Sequence, residues 1–389
     1  MLNALWLAPL IFWLSRGYDD PESSPLDTLY FGLTALFWIG HRLSSTWLAY
    51  CTEAYRPLLR TQPIRFVVFP ILITLGCFAI FLPPDNAMPW TRAERLIALA
   101  ILDYVLVTHH FASQHFGVLS LYRSRAGRTH SRETRRMDRW FALGVGGVLV
   151  FAADILAGSV AYQDVWIDSW VPAWLVDHQE AIRYTGITIL TLAAVAMLAR
   201  ELRSPQRSLP RLLYILGLTI MVALAFRPRS LFLFLVIWTS QHWILATGLA
   251  SQTPSAAPAP QRGGLIRRSL HALNTRPWAV LLLLVAISVM ALPLFEVEAN
   301  RQGGTFYGDR IFGTIATGLR DSTWVPSLIA LGFATGFLHY LLDRNVYRMS
   351  NPQVRQAAAG LLNVPAPVSR AVKIPAPSSP SEALVIFDA

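Results

Sequence analysis

Apolar stretches of about twenty residues recur along this chain, and that recurrence constrains its fold more than any other feature. A hydrocarbon interior offers backbone N–H and C=O groups no water, so each such stretch must hydrogen-bond within its own helix. The expected fold class is therefore all-α, a polytopic transmembrane helical bundle. About ten spans are expected, at 2–15, 28–50, 64–82, 96–121, 140–162, 184–199, 209–226, 230–250, 278–295 and 323–342. Residues 1–350 would form the bundle. Residues 351–389, rich in Pro, Ala and Ser, would form a largely disordered cytoplasmic tail. Pro63, Pro83, Pro84, Pro210 and Pro277 sit at span ends, where proline is tolerated, while Pro70 and Pro293 fall inside spans and invite kinks.

Loop charge sets the expected orientation. Asp19, Asp20, Glu22 and Asp27 crowd the first connection, and Asp164, Asp168, Asp177 and Glu180 crowd the one after the fifth span. Arg56 and Arg60, then the run from Arg123 to Arg139, then Arg203 and Arg207, then Arg262, Arg267 and Arg268 mark basic connections. Acidic and basic loops alternate consistently if both termini are cytoplasmic, and the expected location is a bacterial cytoplasmic membrane. The net charge of +10, almost all arginine, follows from the same rule. No basic domain with interleaved aromatics is present, so no nucleic-acid partner is expected. Cys51 and Cys77 form no CxxC or CxxCH motif, which argues against thiolate zinc sites and covalent haem. The connection 296–321 is a longer outer one, and its 311–319 portion reads as an interfacial or re-entrant helix.

Six histidines lie inside these spans, where ionisable groups are expensive and mark sites or pathways. His41, His110, His242 and His339 fall in four different spans that run in the same sense, and His109 and His115 share the span of His110. His41, His110 and His242 should sit near one depth, with His115 and His339 about 7–9 Å nearer the cytoplasm at 1.5 Å per residue. Asp103, His110 and Gln114 share a helix face within about 40°. Asp343 stands one turn beyond His339, where a carboxyl can fix an imidazole tautomer. His41 and Ser45 share a face, and Arg42 must snorkel or find an acid, for which Asp154 is one candidate. His130, His178 and His271 lie in loops and are expected to be solvated. The segment Gly144-Val145-Gly146-Gly147 reads as close helix packing.

The spacing of His110 and His115 resembles the HxxxxH box of membrane fatty-acid desaturases and hydroxylases. The chain carries no HxxHH and has many more spans, so the resemblance stops at those six residues.

Together these readings predict an integral-membrane, histidine-rich metalloenzyme. Its ligand pool would be His41, His109, His110, His115, His242 and His339, with Asp103, Gln114 and Asp343 as catalytic or orienting groups. Its cofactor would be non-haem iron, mononuclear or dinuclear, oxidising a lipophilic molecule that enters from the lipid, with a separate protein as electron donor. One alternative is a b-type haem protein, with two histidines from different spans as axial ligands, that moves electrons or oxidises a quinone. The other is a non-enzymatic transporter or assembly factor whose buried His and Asp relay protons.

Overall fold

The computed structural model describes Leu10, Trp13 and residues 25–126, 131–147, 172–205, 207–225, 231–256, 264–301 and 307–362. Most of the first and fifth expected spans, Asp154, His130 and the segment 363–389 lie outside the described residues. Among the described residues every regular element is helical.

Helix α1 (Pro25–Leu33) runs through a π-helical turn (Thr34–Trp38) into α2 (Ile39–Cys51). After the short α3 (Arg56–Thr61), a second π-turn (Ile64–Val68) leads into α4 (Phe69–Phe81). Pro70 has no N–H for the carbonyl of Phe66, and the Tyr50 hydroxyl donates to that carbonyl instead at 2.6 Å. Helix α5 (Arg92–Arg125) is the longest and starts at a capping box. The Thr91 hydroxyl accepts from the Glu94 N–H, and the Glu94 carboxylate accepts from the Thr91 N–H.

Then follow α6 (Arg132–Gly146), the short α7 (Ala173–Asp177), α8 (Gln179–Leu202), α9 (Leu209–Ala225) and α10 (Leu231–Gln252). Beyond the amphipathic α11 (Leu265–Asn274) come α12 (Pro277–Arg301), the short pair α13 (Gly308–Phe312) and α14 (Thr314–Arg320), and α15 (Val325–Val346). The chain then turns into α16 (Pro352–Ala357) and α17 (Ala359–Leu362). These two helices begin the segment expected as a tail, yet Val354, Ala358 and Leu361 are buried against the bundle.

Five helices are long and apolar enough to cross a membrane: Ile64–Phe81, Arg92–Arg125, Glu180–Leu202, Pro277–Glu298 and Val325–Val346. Their outward faces carry exposed Leu75, Leu192, Leu282 and Met290, as a lipid-facing surface requires. Helix α12 accommodates Pro293 in its interior.

Helices α2 and α15 are the centre of the packing. Both lie against α12; α2 also meets α10, and α15 meets α4 and α5. The closest approach is at Gly40, where a Cβ would collide with the backbone carbonyl of Leu284 on α12. The Ile39 N–H donates to Ser288 Oγ at 3.1 Å at the same crossing. Gly40→Val is therefore expected to force α2 off α12 and destabilise the chain by about 1–3 kcal/mol, the usual range for overpacking. A thermal-unfolding midpoint in detergent equal to that of the unsubstituted chain would refute this close contact. In the Gly144–Gly147 segment the expected close packing holds at Gly146, against Ala112 and the Thr108 carbonyl, and at Gly144, against Leu190, while the Cβ position of Gly147 faces open space.

One end of the bundle is tied by buried charge. Arg211 on α9 binds Asp138 on α6 through both terminal nitrogens (3.0 and 2.5 Å) and Glu201 on α8 through Nε (3.1 Å). It also donates to the Leu119 carbonyl of α5 at 3.1 Å. A polar cavity of about 260 Å³ opens beside this network. Helices α13 and α14 occupy the expected re-entrant region. There Arg320 grips both oxygens of Asp309 at 2.6 and 2.7 Å and holds that exposed carboxyl below its ordinary range. Cys51 and Cys77 are free thiols.

Candidate metal centre

His41 (α2), His110 (α5), His242 (α10) and His339 (α15) meet inside the bundle, each less than a tenth exposed. One ring nitrogen from each falls within 4.8 Å of the other three. The rings form a closed cycle, with centroids 4.6 Å apart for His41–His242 and 5.2 Å for His242–His110. The cycle continues at 4.6 Å for His110–His339 and closes at 4.4 Å for His339–His41. Neighbouring rings stand at 66–85° to one another, so they meet edge to face rather than as a stack.

Local sequence explains how each ring arrives. The π-turn at Thr34–Trp38 adds one residue to its turn, which rotates everything after it by about 100°. His41 follows within one turn, and its Nδ1 stays 3.3 Å from the Trp38 carbonyl. The close crossing at Gly40 keeps this part of α2 deep in the bundle. His110 and His109 differ by about 100° around α5, so only one can face inward. His110 does so, and His109 is exposed on the outside.

The outer nitrogens decide what the inner ones offer. His242 Nδ1 lies 2.5 Å from Gln114 Oε1. His339 Nδ1 lies 3.3 Å from Ser45 Oγ, whose own proton is committed to Asp343 Oδ1 at 2.8 Å. His110 Nδ1 faces the other oxygen of Asp343 at 3.8 Å. For His41 and His242 the partner of Nδ1 is a carbonyl-type acceptor, so a proton on Nδ1 leaves the Nε2 lone pair of each free. One ring nitrogen from each histidine faces the other three. His110 Nε2 and His339 Nε2 stand 3.1 Å apart, and His41 Nε2 has no hydrogen-bond partner. Converging lone pairs repel unless a cation sits among them. Nitrogens bound to one ion at about 2.0–2.1 Å are themselves about 3–4 Å apart; the His110–His339 pair stands at 3.1 Å, and the whole group, within 4.8 Å, needs only a small contraction to hold an ion. The partners on Nδ1 are the carboxyl, carboxamide, hydroxyl and backbone acceptors that orient metal-bound imidazoles.

The remaining expected site residues take other places. His115 stands apart from the four and is fully buried, with Nδ1 2.6 Å from the Tyr214 hydroxyl. Gln114 and Asp343 touch the ligand group from outside, as orienting groups would. Asp103 lies about two turns from His110, where it hydrogen-bonds Tyr340. Asp103 Oδ1 and Arg42 Nη2 both come within 3.6 Å of the point a Cβ on Gly336 would occupy. Arg42 pairs with Glu298 at 3.2 Å and lies over the rings of Trp38 and Phe295. His178 is exposed and His271 is half-buried at the surface.

Three groups were not picked out by sequence reasoning. Glu298 lay beyond the expected end of its span, although a buried Arg42 demanded an acid. Trp38 contributes only its carbonyl, which carries no residue-type signal. Tyr214 looked like one more apolar residue of α9. The arrangement as a whole is a helical bundle with membrane-length apolar helices and a buried four-histidine group able to hold a metal ion. No known protein family, curated protein or solved structure matches the chain.

Proposed function

We propose that this chain is an integral-membrane metalloenzyme that oxidises a lipophilic substrate at a metal ion held by His41, His110, His242 and His339. The observation that carries the reading is the convergence of four buried ring nitrogens, one from each histidine, within 4.8 Å of one another. An all-imidazole set suits a first-row transition ion such as zinc, copper, iron or nickel. We take iron as the ion, because a redox-active centre buried among apolar helices is suited to attacking apolar carbon. When bound, the ion would supply the electron acceptor for that oxidation.

The residues around it have separate work. Asp343, with Ser45, serves both His110 and His339 and is the nearest carboxyl to offset the ion's charge. Gln114 orients His242. The Arg42–Glu298 pair, with Asp103 and Tyr340, adds a second polar layer beside the histidines. The fuller picture places about ten spans in a bacterial cytoplasmic membrane with both termini inside, lateral entry of substrate from the lipid, and an electron-donor protein.

The haem alternative fits the rings less well. A porphyrin must lie between two axial imidazoles, and here the other two rings occupy the plane it would need. Metal analysis and an optical spectrum on one detergent-purified sample test the proposal. The expected result is iron near one per chain with no Soret band. A Soret band that shifts on reduction would replace the reading with haem. Zinc alone would point to a closed, non-redox site. A chain purified without chelators and free of any metal would leave the histidines as a polar network of a transporter or assembly factor.

A further inference from the structure

His115 and Tyr214 are the buried ionisable pair that the metal reading leaves without a task. Both are fully buried, and His115 Nδ1 lies 2.6 Å from the Tyr214 hydroxyl. A phenol in contact with a base can lose its proton and one electron together, because the proton has somewhere to go in the same step. The pair is also linked by rings to the histidine group. His242 meets Phe111 at 5.6 Å between centroids, and Phe111 meets His115 edge-on at 4.2 Å. His115 meets Tyr214 at 5.9 Å, and Tyr214 meets Tyr122 at 5.7 Å. Every step lies in the range of direct aromatic contact.

The direction of this chain gives it meaning. Tyr122 is three residues from the end of α5, and Tyr214 is five residues from the start of α9. Both ends adjoin the arginine-rich connections that the charge pattern assigns to the cytoplasm. The aromatic series therefore runs from that surface to the histidine centre.

We propose that Tyr214, with His115 as its proton partner, is a one-electron relay between a cytoplasmic electron donor and the metal ion. The proposal rests on the metal-centre reading above. In the relay step the Tyr214 phenol gives one electron to the oxidised ion, whose oxidation number falls by one. Its proton moves to His115 Nδ1, leaving a neutral phenoxyl radical and an imidazolium. One electron from a one-electron donor protein, and return of the proton from His115, restore the phenol. The oxidant is the ion raised by two electrons. Hydrogen peroxide can supply that state from the ferrous ion, consuming two protons and leaving two waters.

The test mixes the ferrous-loaded full-length chain with hydrogen peroxide and freezes it for electron paramagnetic resonance, with metal content measured on the same sample. The expected result is an organic radical signal that narrows when tyrosine is supplied ring-deuterated. Tyr214→Phe should lose that signal at unchanged metal content. Tyr122→Phe should retain it, and His115→Gln should lose or shift it while keeping the metal. A metal-loaded chain with no tyrosyl signal, or a signal that survives Tyr214→Phe, would overturn the relay and leave the metal centre standing. A chain that binds no metal would overturn both. A signal unchanged in His115→Gln would remove His115 from the relay and with it the proposed step.

Discussion

Replacing His339 with alanine is expected to empty the metal centre. The substitution removes one of four converging nitrogens and also the ring that closes the cycle between His41 and His110. Changing only a partner of a ligand typically weakens a metal site by about 10–100-fold, and losing a ligand should exceed that. Metal content measured after dialysis should fall from near one ion per chain to background. Asp343→Asn, which keeps the shape but removes a carboxylate that faces His110 and reaches His339 through Ser45, should fall between the two. His109→Ala should change nothing, because that ring is exposed on the outer face of α5.

Stability supplies an independent readout. A ligand that binds only the folded state at 100 times its Kd adds about 2.7 kcal/mol. Added metal should therefore raise the unfolding midpoint of the unsubstituted chain and of His109→Ala, and leave that of His339→Ala where it was. Acid should release the metal, because each imidazole must be neutral to bind. Full metal retention by His339→Ala would refute the four-histidine centre.

The contrast between His109 and His110 shows how far the sequence could be read. Hydropathy locates helices well, because burying an unpaired backbone group in hydrocarbon is costly wherever it occurs along the chain. The 28–50 expectation thus finds its counterpart in α1, the π-turn and α2, and the 323–342 expectation in α15. Depth was legible in part: residue counting brought His41, His110 and His242 to one level, but it set His339 about 7–9 Å nearer the cytoplasm, whereas its ring meets those of His41 and His110 at 4.4 and 4.6 Å, because ring reach and helix packing also set depth. Rotation was not. Adjacent residues differ by about 100°, and which of them faces inward depends on neighbouring helices that the local sequence does not name.

The π-turn before His41 compounds this difficulty, because Thr-Ala-Leu-Phe-Trp carries no proline or glycine to announce an irregular turn. Span ends were lost for another reason. Hydropathy stops at the last apolar residue, while α12 continues to Arg301 because Glu296 and Glu298 have partners. Glu296 accepts from the N–H groups of Tyr307 and Gly308, and Glu298 holds Arg42.

Arg211→Leu is expected to be the most destabilising single change outside the histidine group. The guanidinium of Arg211 is 3% exposed and meets two carboxylates, Asp138 and Glu201, that are 1% and 5% exposed. Arginine is suited to this position because one rigid fork can bind Asp138 bidentately and still reach Glu201 through Nε. Removing it takes from both buried acids the cation they share; Arg123 comes no nearer to Asp138 than 3.9 Å, and Glu201 keeps the Ser208 N–H at 2.8 Å. Breaking a buried ion pair from one side typically costs about 3–5 kcal/mol, because the abandoned charge keeps its desolvation penalty.

The same substitution severs the link among α5, α6, α8 and α9, so the loss should appear as cooperative unfolding rather than local fraying. Arg211→Lys should recover only part of the stability, since an ammonium cannot span three partners in that geometry. The Arg200–Glu133 pair on the same two helices, α8 and α6, is the control. Its side chains are 45% and 72% exposed, and solvent screens it, so Arg200→Gln should cost far less than Arg211→Leu. Thermal or denaturant unfolding of the detergent-solubilised variants measures all three. Equal stability of Arg211→Leu and Arg200→Gln would show that the buried network does not hold these four helices together.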